Sequence, residues 1–183
     1  VSAWRILHGD PKPAPRRTLV VAVTLAAVLA PTQLLVGDLH GLNTFEHQPA
    51  KIAAIEGVWE TERGAPLLLF ALPDSEARQN HYEVGIPKLA SLILTHEADG
   101  EIRGLNEFGD AHPPVPPLFW GFRLMVGFGT LMILVAWWCA PTLWRGRPLG
   151  TWQLRVVVAM TFSGWRATLA GWDVTEIGPP AGL

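Results

Sequence analysis

The chain has 183 residues, of which 49% are hydrophobic and only 16% charged, with nine Trp and a mean hydropathy of +0.25. Soluble domains carry about a quarter charged residues, so this composition points to a membrane protein and excludes disorder. The 14 basic and 16 acidic residues balance to -2 without a run of like charges, which argues against nucleic-acid binding, and the single Cys139 supports neither a disulfide framework nor a thiolate metal cluster.

In chain order, Val1 to Leu7 reads as the end of a helix stopped by His8-Gly9-Asp10-Pro11, so residues 1–8 are expected to be the end of a truncated transmembrane helix. With no Met at position 1 and no leader-like start, the sequence is expected to be an internal piece of something longer. Leu19 to Val36 is apolar except for Thr24, Pro31, Thr32 and Gln33, which predicts a transmembrane helix over 18–36. Residues 37–116 follow as a long connecting segment, with short helices predicted over Gln48 to Thr61 and Pro87 to His96 and with glycines and prolines punctuating the rest. Leu118 to Ala140 contains one charge, Arg123, and ends near Trp137 and Trp138, which predicts a second span over 117–141. Trp152 to Trp172 predicts a third over 151–176, although it carries Arg155 and Arg166. Residues 177–183 are a tail.

Charge orients these elements. Lys12, Arg16 and Arg17 precede the first full span, and Arg145, Arg147 and Arg155 cluster between the second and third, so both loops are expected on the cytoplasmic side. The segment 37–116 then faces outward, and it holds 13 of the 16 acidic residues but five of the 14 basic ones. The expected fold class is all-α, a polytopic transmembrane bundle of about three spans plus the end of a fourth, with an outer loop.

Few residues suggest chemistry. Arg123 lies too deep in its span for comfortable contact with lipid, and Met125 follows it; the pair is either a snorkelling cation beside a core filler or a soft thioether ligand beside a cation that holds a cofactor's acid group. Asp173 and Glu176 end the third span and are either solvated or candidate ligands. Lys51 and Glu56 are five residues apart, a spacing that an ordinary helical ion pair does not use, and Glu56 and Glu60 form a like-charge pair. These groups are either a solvated helix face or residues used for something else. His40, Glu46 and His47 match no standard metal-ligand spacing.

Six ordered motifs carry a family resemblance. Gly37-Asp38-Leu39-His40-Gly41, Glu46 through Gly57, Ile86 through Ser91, Gly104-Leu105-Asn106-Glu107-Phe108, Phe122 through Gly127, and Gly171-Trp172 through Thr175-Glu176-Ile177-Gly178 together closely resemble subunit I of the cytochrome bd quinol oxidases. The resemblance implies an oxidoreductase of the respiratory chain in the bacterial inner membrane, which takes electrons from membrane quinol and reduces dioxygen to water with a low-spin haem b, a high-spin haem b and a haem d, in partnership with subunit II. It makes 37–116 a periplasmic quinol-binding loop of the short-loop branch that includes cyanide-insensitive oxidases. Lys51 and Glu56 match the residues tied to quinol oxidation, Met125 the axial ligand of the low-spin haem b, Arg123 its charged neighbour, and Glu176 the carboxylate ligand of the high-spin haem b. The remaining ligands would belong to upstream helices, so these residues alone are expected to be inactive. Departures are Arg166, Asp173 and the tail from Pro179, where the family continues Arg-Gln-Pro-Trp. The alternative is a truncated membrane scaffold that binds no haem.

Overall fold

The computed structural model describes residues 1–109 and 112–178, so the divergent tail from Pro179 lies outside the described residues. In chain order it runs α1 (Ser2–Leu7), α2 (Pro13–His47), α3 (Pro49–Glu56), β1 (Glu62–Arg63), β2 (Leu67–Asp74), β3 (Gln79–Ile86), α4 (Leu89–Thr95), β4 (Glu101–Ile102), a 3-10 turn over Leu105–Phe108, α5 (Val115–Trp144), α6 (Thr151–Ala159), a 3-10 turn over Met160–Phe162, and α7 (Ser163–Glu176). These elements form two compact units, one of residues 1–37 with 125–168 and the other of residues 38–124 with the stretch from Leu169 onward.

In the first unit, α2 and α5 run antiparallel. The Trp137 indole donates to the Ala27 carbonyl at 3.0 Å, Trp144 to the Thr24 hydroxyl at 3.0 Å, and Arg16 to the Gly146 carbonyl, so rising numbers in one helix meet falling numbers in the other. The last contact puts the two basic loops at one end of the pair. Both helices, of 35 and 30 residues, are long and apolar enough to cross a membrane. Their outward residues, among them Leu25, Leu29, Leu134 and Trp137, are exposed, as a lipid-facing helix requires. Ala27, Ala136, Cys139 and Leu143 form the core between them, joined by Ala3 of α1 and Leu154 of α6.

The expected third span differs. Residues 151–176 form a helix of 9 residues and one of 14 joined by a 3-10 turn, not one continuous helix. The Thr161 and Ser163 hydroxyls donate to the carbonyls of Val158 and Met160, and such local bonding competes with the α-helical ladder. Arg166, the odd charge in this stretch, lies over the Phe128 ring, 5.9 Å from its centroid.

The expected first span is also longer than read. Its helix continues past Val36 to His47, because Gly37 and Gly41 sit in the helix without breaking it. It stops where Gln48 precedes Pro49 and is pushed to φ -136°, ψ 62°.

The second unit corrects the all-α reading of residues 37–116. Strands β2 and β3 pair as an antiparallel hairpin with Leu67 opposite Ile86, and β1 pairs with β4. The hairpin turn is built by Asp74, whose carboxylate accepts the backbone N–H groups of Glu76 and Ala77 at 2.9 Å each. Its strands lack clean alternation, since Leu67 to Leu72 is apolar throughout, so a period of two does not announce them. The two short helices are where the sequence placed them, shorter at both ends.

Candidate functional site

Helix α3 positions two of the predicted residues. Pro49 opens it, where a missing N–H costs nothing, and Gly57 closes it in the left-handed region at φ 73°. Almost every residue between them is buried, Lys51 and Glu56 included. Five residues is about 140° around a helix, so the two side chains meet different neighbours.

Lys51 Nζ donates to the Thr175 carbonyl at 3.0 Å, in the last turn of α7. A cation there satisfies a carbonyl left without an intrahelical partner and complements the helix dipole. Burial pushes the Lys51 amine below its ordinary value, opposed by the charge of Glu176. The structure thus links Lys51 to the turn that carries Glu176, itself exposed.

Glu56 turns instead to Arg123. Its Oε2 lies 3.7 Å from Arg123 Nη2, the Glu56 side chain is buried and that of Arg123 partly so, and neither of the two atoms, each shielded from solvent, has a hydrogen-bond partner among the described residues. Burial pushes the Glu56 carboxyl above its ordinary range, opposed by the Arg123 guanidinium. The rest of that guanidinium is engaged: Nε donates to the Leu68 carbonyl at 2.7 Å, Nη1 to those of Ile55 at 2.6 Å and Phe119 at 3.1 Å, and the group lies 3.4 Å from the Phe119 ring centroid. Met125 is half-buried two residues further along α5. Among the described residues no cluster of His, Cys, Asp and Glu fits a metal ion, His40 and His47 included.

Several supporting residues carried no readable role in the sequence. Ser91, fully buried, accepts the Ala65 N–H and donates to the Gly100 carbonyl, both at 2.8 Å. Asn80 accepts from the Trp59 indole at 2.9 Å and donates to the Gly57 carbonyl at 2.8 Å, tying the hairpin to the end of α3. Gly104 lets two backbones approach: a Cβ there would lie 2.4 Å from the carbonyl carbon of Glu60. Ser91 and Gly104 fall inside the resemblance motifs, which was the available signal; Asn80 had none. A cleft of about 510 Å³ lies beside Gly57, lined by Trp59, Glu62, Asn80 and Tyr82 among others but by neither Lys51 nor Glu56. Glu62 in its wall is pushed above its ordinary range by burial and by Glu83.

Two long apolar helices, with a packed connecting segment between them whose ionisable groups meet the start of α5, define the class: a mostly helical membrane protein with a structured connecting segment. The family model for cytochrome bd terminal oxidase subunit I matches residues 1–179, and the chain belongs to that family. It is 31% identical to cytochrome bd ubiquinol oxidase subunit 1 of Bacillus subtilis (strain 168) over 194 residues, covering 97% of this chain and 41% of the relative. It is 25% identical to cytochrome bd-II ubiquinol oxidase subunit 1 of Escherichia coli (strain K12) over 246 residues, covering 97% and 48%. The solved bd oxidase from Geobacillus thermodenitrificans matches with a TM-score of 0.83 at 30% identity, over 97% of this chain and 41% of that one. The chain therefore spans less than half the length of these relatives.

Proposed function

We propose that this chain is the part of a bacterial cytochrome bd-type oxidase that carries the quinol-oxidising loop, with 37–116 on the periplasmic face of the inner membrane and with Lys51 and Glu56 acting on the quinol. The observation that carries the reading is Glu56: a carboxyl group buried in the outer loop, with one oxygen unpartnered among the described residues and a cation 3.7 Å away. Burial biases it toward the protonated form. Such a group suits the acceptance of a hydroxyl proton as electrons leave and its release afterwards. Lys51, buried and shifted toward its neutral form, can hydrogen-bond a quinol oxygen once it leaves the Thr175 carbonyl.

The residues present fit part of the haem set that the family implies. Met125 offers a soft thioether, and the Arg123 guanidinium two residues away adds positive charge beside it while its Nη2 faces Glu56. Glu176 offers a hard oxygen ligand at the end of α7 for the high-spin haem b. Bound haem supplies one-electron carriage and the reduction of dioxygen, with haem d at the oxygen site and subunit II as partner.

The test uses the whole oxidase in membranes. Glu56→Gln is expected to lower quinol oxidation about a hundredfold, and Lys51→Ala to lower it as well, with dithionite-reduced haem spectra intact; unchanged turnover in both variants refutes the reading. Met125→Leu, nearly neutral for packing, is expected to remove the low-spin haem b signal, and a preserved spectrum reduces Met125 to a core residue.

A further inference from the structure

We propose that Arg123 is a positioning residue for Glu56, fastening α3, the β2–β3 hairpin and the first turns of α5 into one node that holds the carboxyl group in place. Three carbonyls from three elements converge on one guanidinium: Ile55 from α3, Leu68 from β2 and Phe119 from α5. The hairpin register shifts between Leu68 and Phe70, and at that irregularity the Leu68 carbonyl meets Arg123. Bulges re-aim backbone groups in this way. Ile55 is the residue before Glu56, so clamping its carbonyl fixes the backbone from which the carboxyl projects. The Phe119 ring closes one face of the guanidinium and also packs against Gly57, where a Cβ would approach its Cε2 to 3.0 Å. Only the planar fork of Arg makes such a set of bonds; a Lys ammonium is a single point of donors on a flexible stem.

The charged groups around Glu56 leave Arg123 as its electrostatic partner. On its own helix Lys51 is turned to the Thr175 carbonyl, and in the segment after Gly57 Glu60 accepts from Asn106. In the 3-10 turn packed on α3, Glu107 is engaged by Thr61 and Arg103, while β2 presents a carbonyl and α7 presents Glu176 on the side of Lys51.

This inference rests on Glu56 acting in quinol oxidation, and the experiment separates the two. Turnover against pH, together with the infrared carboxyl band assigned by its loss in Glu56→Gln, is measured in the whole oxidase for wild type, Arg123→Gln, Arg123→Lys, Glu56→Gln and the Glu56→Gln/Arg123→Gln double variant. Removing the cation raises the Glu56 pKa, and turnover needs the carboxylate, so Arg123→Gln is expected to move both the band's titration and the acidic limb of the rate profile upward by about one pH unit or more. The limb is expected to be absent in the double variant. Arg123→Lys keeps the charge and loses the fork, so its limb stays in place while kcat falls about tenfold or more. If Arg123→Gln fails to accumulate, Arg123→Lys carries the test, and wild-type turnover in it overturns the proposal. A band and limb unmoved in Arg123→Gln, or a limb that persists in the double variant, also overturn it. Full turnover in Glu56→Gln overturns the part of Glu56 in the quinol reading, while the infrared band still reports whether Arg123 sets the state of the carboxyl.

Discussion

Replacing Gly104 by Ala tests the loop with one methyl group. The backbone at Gly104 has φ -81° and ψ 157°, which alanine adopts without strain, so any cost comes from contact alone. The added Cβ would lie 2.4 Å from the Glu60 carbonyl carbon, 2.5 Å from the Trp59 carbonyl oxygen and 2.6 Å from the Thr61 nitrogen. All three are backbone atoms, and ordinary contact needs about 3.5 Å, so residues 59–61 must retreat by about 1 Å. That retreat strains three hydrogen bonds made by the close approach: Gly104 N–H to the Thr61 hydroxyl at 2.9 Å, Leu105 N–H to the Val58 carbonyl at 3.0 Å and Asn106 N–H to the Trp59 carbonyl at 3.0 Å. Overpacking costs about 1–3 kcal/mol and each weakened bond up to about 1 kcal/mol, which sums to about 1–6 kcal/mol, with about 3 kcal/mol near the middle. Hydrogen exchange in the membrane-embedded oxidase reads this directly: amides of residues 58–61 and 104–106 are expected to exchange about a hundredfold faster, since about 1.4 kcal/mol is tenfold. Gly41→Ala is the control, because a Cβ there meets nothing within 4 Å and α2 is continuous through it. Exchange within about threefold of wild type in Gly104→Ala would refute the claim that this approach holds the loop together.

Two further predictions concern buried polar groups. Ser91→Ala leaves the Ala65 N–H without its acceptor, whereas the Gly100 carbonyl keeps the Gly64 N–H at 3.2 Å, so the loss is about 1–3 kcal/mol and localised to Ala65 exchange; an unchanged rate at Ala65 contradicts it. The Glu56 carboxyl is held above its ordinary value near 4.5 in the folded loop, so its contribution to stability is full below that value and is lost as pH rises through the folded pKa. Protection of α3 amides, corrected for intrinsic exchange chemistry, is expected to fall as pH rises above the ordinary carboxyl value and through the raised folded one in wild type, and to stay level in Glu56→Gln; parallel profiles in the two proteins count against the burial argument.

The elements that the sequence determined by itself are those whose signal is local. Apolar runs place α2 and α5, because a helix in hydrocarbon satisfies its own backbone and needs only side chains that lipid tolerates. Pro49 marks the start of α3 through its own backbone preference, whereas the predicted end at Thr61 overran Gly57, where the helix stops; basic residues beside the two apolar runs pair the two loops that Arg16 and Gly146 join. Spacing also showed that Lys51 and Glu56 are not an ion pair, and the ordered motifs pointed to the family. Tertiary structure decided where those residues turn. Arg123 reaches the carbonyls of Ile55 and Leu68 across 68 and 55 residues, and Lys51 reaches that of Thr175 across 124. Every residue type carries a carbonyl, so these acceptors have no signature in the sequence and exist only once the chain has brought them together. The hairpin was hidden for a related reason: Leu67 to Leu72 has no polar alternation to declare a period, and its register with β3 is a property of the pair, not of either strand.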